Sequence, residues 1–310
     1  MQRWLADVGC VIRRDAIGNV FGRREGREPE RPAVMIGSHL DSQPDGGRYD
    51  GALGVLAGLE VLRTIDEQEL VHRAPIEVAI WTDEEGARFG ASCIGSSVYA
   101  GALELERALA LTDADGVRFG DALPRLGGEH PVGEPLPACY LELHIEQGPR
   151  LDRDGRPVGV VEGVTGIEWI AVRIAGRTGH AGTTPPDARL DALLAAARLV
   201  AAVDAIAGSR PPDARGTVCV IRAHPNAGSV VVGETELLVD LRHPDAEVLA
   251  AMVADLDALC DGLRRAGFAV TLEARWSQPP IAFDRGCIAA LERAAAGTDT
   301  LLAAVLELAA

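Results

Sequence analysis

The stretch "MIGSHLDSQPDGGRYDGALGVLAGLEVL", residues 35–62, most constrains the fold. A short apolar run ends in Ser38-His39. A polar, glycine-rich loop carrying Asp41, Asp45 and Asp50 follows, and then apolar residues recur at helical spacing. A strand that delivers polar groups to a helix start is the unit of an α/β sheet, where ligands sit beyond the carboxyl ends of strands. Further apolar runs at 33–37, 76–81 and 139–145 read as strands, and 52–65 and 90–109 as helices. Each strand runs into polar residues: His39, then Glu84-Glu85 after "WTD", then His144.

After residue 163 the rhythm changes. Segments 167–174, 217–223, 236–241 and 269–274 read as strands, and 187–205 and 246–266 as helices. The order β-α-β-β-α-β is that of a ferredoxin-like unit. The expected organisation is a first domain of residues 1–162 with 277–310, interrupted by an inserted domain of residues 163–276. Pro279-Pro280 makes the re-entry stiff.

A net charge of -16 argues against nucleic acid or an anionic membrane as partner, because either needs a basic face to displace counterions. All 30 basic residues are Arg. The absence of Lys removes Schiff-base chemistry and a Walker A phosphate loop. No apolar run approaches the roughly 20 residues of a membrane span, and "MQRWLADVGCVIRRD" lacks a signal-type apolar core, so a cytoplasmic location is expected. The six cysteines show no C-x-x-C spacing and read as reduced structural thiols.

His39, Asp50, Glu84, Glu85 and His144 are ligand types for zinc-like ions, and a carboxylate can bridge two ions. Asp41, two residues from His39 on an extended segment, would share its side and orient the imidazole. Asp50 also admits a plain reading as the N-cap of the following helix. Glu84 and Glu85 should point opposite ways, so that one binds metal and the other serves as general base. The chemistry implied is hydrolysis. His72, His130 and His224 sit in polar or Pro-flanked loops and read as structural.

In order, "GSHLDSQPDGGRYDGALGV", "DEEGARFG", "LELHIEQGP", "GRTGHAGTTP" and "DLRHPD" resemble the dinuclear-metal amidohydrolases. That family includes allantoate amidohydrolase, N-carbamoyl-L-amino-acid amidohydrolase and β-ureidopropionase. The resemblance implies a zinc-peptidase-like mixed sheet with flanking helices, the inserted domain serving for dimerisation. It implies two divalent ions of zinc, manganese or cobalt, one held by His39, Asp50 and His144. Asp50 would bridge to a second held by Glu85, with Glu84 as general base. Gln147 and His180 would bind substrate, and Arg242 would clamp a carboxylate with its planar fork. The expected partners are a ureido or N-carbamoyl amino acid and a second copy of the chain.

Three departures stand out. Ser229 occupies a position where the family has a substrate-binding Asn, and a hydroxyl offers fewer donors. The family carries further helical sequence before the segment "GNVFGR". It also continues beyond "FDRGCIAALERAAAG" to a histidine that completes the second metal site, so the chain reads as truncated, with one well-liganded site and one incomplete site. An impaired remnant that binds one metal or dimerises is the alternative, and an aminopeptidase or dipeptidase on the same scaffold a weaker one.

Overall fold

In the computed structural model, residues 1–123, 128, 132–133 and 136–296 are described; His130 and the tail 297–310 lie outside them. The chain divides into unit 1, Met1–Val161 with Asp284–Ala310, and unit 2, Glu162–Phe283.

In unit 1, α1 (Gln2–Asp7) leads into β1 (Val11–Arg14), β2 (Val20–Arg24) and β3 (Val34–His39). Then come α2 (Ala52–Glu67), β4 (Ile76–Trp81), α3 (Ile94–Tyr99), α4 (Leu105–Leu109), α5 (Phe119–Ala122), β5 (Cys139–Leu141) and α6 (Arg150–Arg153). The sheet order is β1-β2-β4-β3-β5. β3 lies parallel to both β4 and β5, while β1 and β2 run antiparallel at the other edge. β3 and β4 are buried at every position, which is why both read as unbroken apolar runs. α2 lays Val55, Leu59 and Leu62 into the core with Ile36, Val78 and Leu141. Each such side chain contributes about 1.5–3 kcal/mol, and truncating Ile36 to Ala would cost about 2–5 kcal/mol. Gly58 lets α2 close on the sheet, since a Cβ there would stand 3.0 Å from Val78.

Two unit 1 elements differ from the expectation. The helix expected over 90–109 is two short helices, α3 and α4, separated by Gly101 in the left-handed region at φ 75°. The strand expected over 139–145 pairs only as far as Leu141.

Unit 2 contains β6 (Gly163–Val164), β7 (Gly166–Ala175), β8 (Gly179–His180), α7 (Ala192–Gly208), β9 (Arg215–His224) and β10 (Val230–Val231). β11 (Glu234–His243), α8 (Ala246–Arg265), β12 (Ala269–Gln278) and β13 (Ile281–Ala282) complete it; α9 (Arg285–Ala295) belongs to unit 1. The antiparallel order β12-β7-β11-β9, with α7 and α8 sharing its core, is the ferredoxin-like arrangement. α7 starts at Ala192, later than the 187 expected. Asp191 caps it by accepting from the N–H groups of Leu193 and Leu194, and Pro185-Pro186 hold the preceding turn out of the helix. No helix among the described residues is long and apolar enough to cross a membrane.

Candidate metal centre

The parallel strands of unit 1 carry their polar ends to one edge. His39 closes β3 opposite Trp81, after which the chain of β4 turns through Asp83, Glu84 and Glu85. The His39 side chain is 2% exposed. Its Nδ1 lies 2.9 Å from the Asp41 carbonyl oxygen. A carbonyl can only accept, so Nδ1 carries a proton, and in the neutral ring Nε2 presents a lone pair. The same reasoning holds for His144, whose Nδ1 is 2.7 Å from the Ile145 carbonyl.

Both Nε2 atoms face one carboxylate oxygen. Asp50 Oδ1 lies 3.2 Å from His144 Nε2 and 3.8 Å from His39 Nε2, and this buried oxygen makes no hydrogen bond. Two lone pairs converging on an anionic acceptor repel one another unless a cation stands among them, and an unpaired buried acceptor costs about 1–3 kcal/mol. The ligand atoms of His39, Asp50 and His144 lie within 4.8 Å of one another. The residues therefore fit a divalent ion with nitrogen and oxygen ligands.

Asp50 is not the cap of α2. The cap position is Gly51, and no side chain caps the helix. Gly51 has φ 68°, and a Cβ there would stand 2.5 Å from His39 ring atoms, so only glycine lets the helix start under the imidazole.

His39, Glu84 and Glu85 form a second cluster within the same distance limit. Glu84 Oε2 is 3.4 Å from His39 Nε2, and Oε1 accepts from the Cys93 thiol at 3.4 Å. Burial raises the Glu84 pKa, with His39 opposing. Burial and the Glu84 carboxylate together push the Cys93 thiol up to about 12, which keeps it a donor. Asp41 acts differently from the sequence expectation: its backbone carbonyl orients His39, while its carboxylate accepts from the N–H groups of Glu84 at 3.3 Å and Glu85 at 3.0 Å. Gln43 closes the turn by donating to the Glu85 carbonyl at 2.6 Å. Gln147, at φ 55°, donates to Asp50 Oδ2 at 2.6 Å, the oxygen that a bridging role would require.

Sequence reasoning missed Asn19. This buried side chain accepts from the Thr82 N–H and donates to the Gly95 carbonyl, tying the end of β4 to α3. An Asn beside "FGRR" carries no periodic signal that would mark it. Cys93 was likewise passed over, because thiols without paired spacing read as core.

In unit 2, His180 and Ser229 adjoin through the β8–β10 ladder, in which His180 faces Val230 and the Ala181 N–H bonds the Ser229 carbonyl at 2.9 Å. His180 Nδ1 accepts from the N–H groups of Gly182 and Thr183, so Nε2 carries the proton and is a donor. Ser229 sits at φ 62°, a region Asn tolerates better than Ser. Arg242 lies on β11 in a bidentate pair with Asp240, through Nε at 2.9 Å and Nη2 at 2.8 Å. His72, read as structural, is buried with Nδ1 on the Ala74 carbonyl.

Residues 35–305 match the model of peptidase family M20/M25/M40. An N-carbamoyl-L-amino-acid amidohydrolase from Rhizobium meliloti is 40% identical over 289 residues, covering 91% of this chain and 69% of the relative. A ureidoglycolate hydrolase from Arabidopsis thaliana is 38% identical over 257 residues, covering 79% of this chain and 54% of the relative. A solved amidase of the hydantoinase/carbamoylase family from Burkholderia multivorans superimposes with a TM-score of 0.90 at 40% identity, covering 98% of this chain and 78% of that one. The chain thus spans roughly half to two thirds of the length of these curated relatives.

Proposed function

The chain belongs to peptidase family M20/M25/M40, and on that premise we propose that it is a metal-dependent amidohydrolase. It cleaves a linear C–N amide bond in an N-carbamoyl or ureido amino-acid substrate. The observation that carries this reading is the convergence of the Nε2 atoms of His39 and His144, each ring anchored through Nδ1 to a carbonyl, on the unpaired Asp50 Oδ1. His39, Asp50 and His144 would hold one divalent ion. Glu85 and Asp50 would contribute to a second, less completely liganded one. When bound, such an ion polarises a carbonyl and makes water more acidic.

The protein's own groups supply the rest. Glu84, whose Oε2 stands beside His39, takes a proton from the attacking water and returns it to the leaving nitrogen; its burial-raised pKa suits that exchange. The Cys93 thiol and the Asp41 carboxylate hold Glu84 in place from its side chain and its backbone. His180, with its proton on Nε2, has a donor free for substrate, the role that the family resemblance implies for it. Asp240 occupies one edge of the Arg242 guanidinium, leaving the Nη1 side for the substrate carboxylate. Gln147 and Ser229 contribute polar contacts to substrate, and unit 2 serves for dimerisation.

The test is ammonia release from N-carbamoyl-L-amino acids, allantoate and ureidoglycolate by the chain loaded in turn with zinc, manganese or cobalt. Metal-dependent release that Glu84→Gln abolishes is the expected result. Release that survives both chelation and that substitution would refute the reading.

A further inference from the structure

Between the two imidazoles the backbone ladder runs out. β3 and β5 pair at Val34↔Cys139, Met35↔Tyr140 and Ile36↔Leu141, and no further. Three more steps in that register would set His39 opposite His144, but the chain leaves the sheet after Leu141. The His144 side chain is 40% exposed, against 2% for His39. Parallel strands without rungs have nothing in the backbone to fix the distance between two side chains at their ends.

A side-chain network stands where the rungs are missing. Ser38 Oγ donates to Glu142 Oε1 at 2.7 Å, and the Tyr140 hydroxyl donates to Glu142 Oε2 at 2.6 Å. Trp81 Nε1 in turn donates to the Tyr140 oxygen at 2.9 Å. One carboxylate thus joins the ends of β3, β4 and β5 and uses both of its oxygens. Its anchor is fixed: Ser38 is fully buried and is the residue before His39. α2 presses on the same place, since a Cβ on Gly54 would stand 2.7 Å from both the Ser38 Cβ and the Leu143 carbonyl oxygen. Bonds from neutral hydroxyls to a carboxylate are charge-assisted and short, suited to holding a segment that has no ladder.

We propose that Glu142 is a positioning residue: through Ser38 and Tyr140 it sets the spacing of His39 and His144, and with it the affinity of the centre for a divalent ion. This rests on the metal-binding reading above. Glu142 belongs to neither ligand cluster and acts through the strand ends it joins.

The experiment uses the full chain with Glu142→Ala, Glu142→Gln and Tyr140→Phe. Manganese(II) binding is titrated calorimetrically, amide hydrogen exchange is followed over residues 139–146, and thermal unfolding is measured without metal. Glu142→Ala should weaken manganese binding by about 10- to 100-fold, the range for losing a group that orients metal ligands. Exchange over 142–146 should quicken, and the metal-free unfolding midpoint, lowered by the unpaired Ser38 hydroxyl, should fall by less than the loss of affinity. Glu142→Gln should fall between, and Tyr140→Phe, which keeps the carboxylate but removes the hydroxyl's bond to it and the bond from Trp81, should weaken binding several-fold. Manganese affinity and exchange both unchanged in Glu142→Ala would overturn the inference, as would a loss of affinity matched by an equal loss of metal-free stability. If Glu142→Ala does not fold, Tyr140→Phe decides on the same two readouts. A parent that binds no manganese would overturn the metal reading instead, and the exchange over 142–146 would then decide the role of Glu142.

Discussion

The candidate residues of unit 1 and of unit 2 differ in how their polar atoms are occupied. At the strand ends of unit 1, His39, His144 and Asp50 present acceptors to one another, and Asp50 Oδ1 has no hydrogen bond. In unit 2 the corresponding groups are closed locally: His180 accepts two backbone N–H groups, and Arg242 is paired with Asp240. Unsatisfied acceptors facing each other require a cation, whereas satisfied groups with one free donor edge wait for a neutral or anionic ligand. The contrast separates residues expected to hold metal from residues expected to hold substrate.

The sharpest way to break that distinction is Asp50→Ala. It removes the oxygen on which both imidazoles converge, and no divalent ion should remain bound after dialysis, measured by elemental analysis. Glu84→Gln comes next: the ion should stay while turnover falls by about 10² to 10⁴-fold, the range for losing a general base. Loss of the ion would move Glu84 from proton transfer to ligation. Gly51→Ala should cost at least about 2 kcal/mol in denaturant unfolding, because left-handed strain is joined by a clash with the His39 ring. Gly116→Ala is the control, with φ 79° and nothing within 4 Å of the added Cβ, and should cost only about 1–2 kcal/mol. The smallest effect belongs to unit 2. Arg242→Ala should raise KM about 10-fold, as for one lost charged hydrogen bond, and leave metal content unchanged. A change in metal content would erase the separation between the units.

The sequence pattern shows the parts of the fold in which one physical signal dominates. β3 and β4 are buried on both faces and so appear as continuous apolar runs, whereas α7 is apolar on both sides, burying Ala195, Leu199 and Val203 and exposing Leu193 and Leu194, so spacing alone does not pick its buried face. β1 and β2 carry Arg13, Arg14, Arg23 and Arg24 and give no such run, because the sheet pairs Arg13 with Glu77 inside the unit. Gly101 breaks a stretch whose composition is otherwise helical. At the centre, the residue types of His39, Asp50, Glu84, Glu85 and His144 and the strand-end position of His39 are legible without coordinates, while His144 lies beyond the end of β5. The division of labour within Asp41 is not, since a backbone carbonyl and a carboxylate of one residue cannot be told apart by spacing. Nor is Glu142, whose role depends on where the β5 ladder stops.

The most direct measurement is a cobalt(II) titration of the parent chain and of His144→Ala, followed by calorimetry and by the visible absorption of the bound ion. The expected result is tight binding in the parent, with a spectrum of low-coordinate nitrogen and oxygen ligation that His144→Ala weakens by at least about 100-fold. Absence of binding in the parent, or binding indifferent to His144, would contradict the assignment of these strand ends as a metal centre.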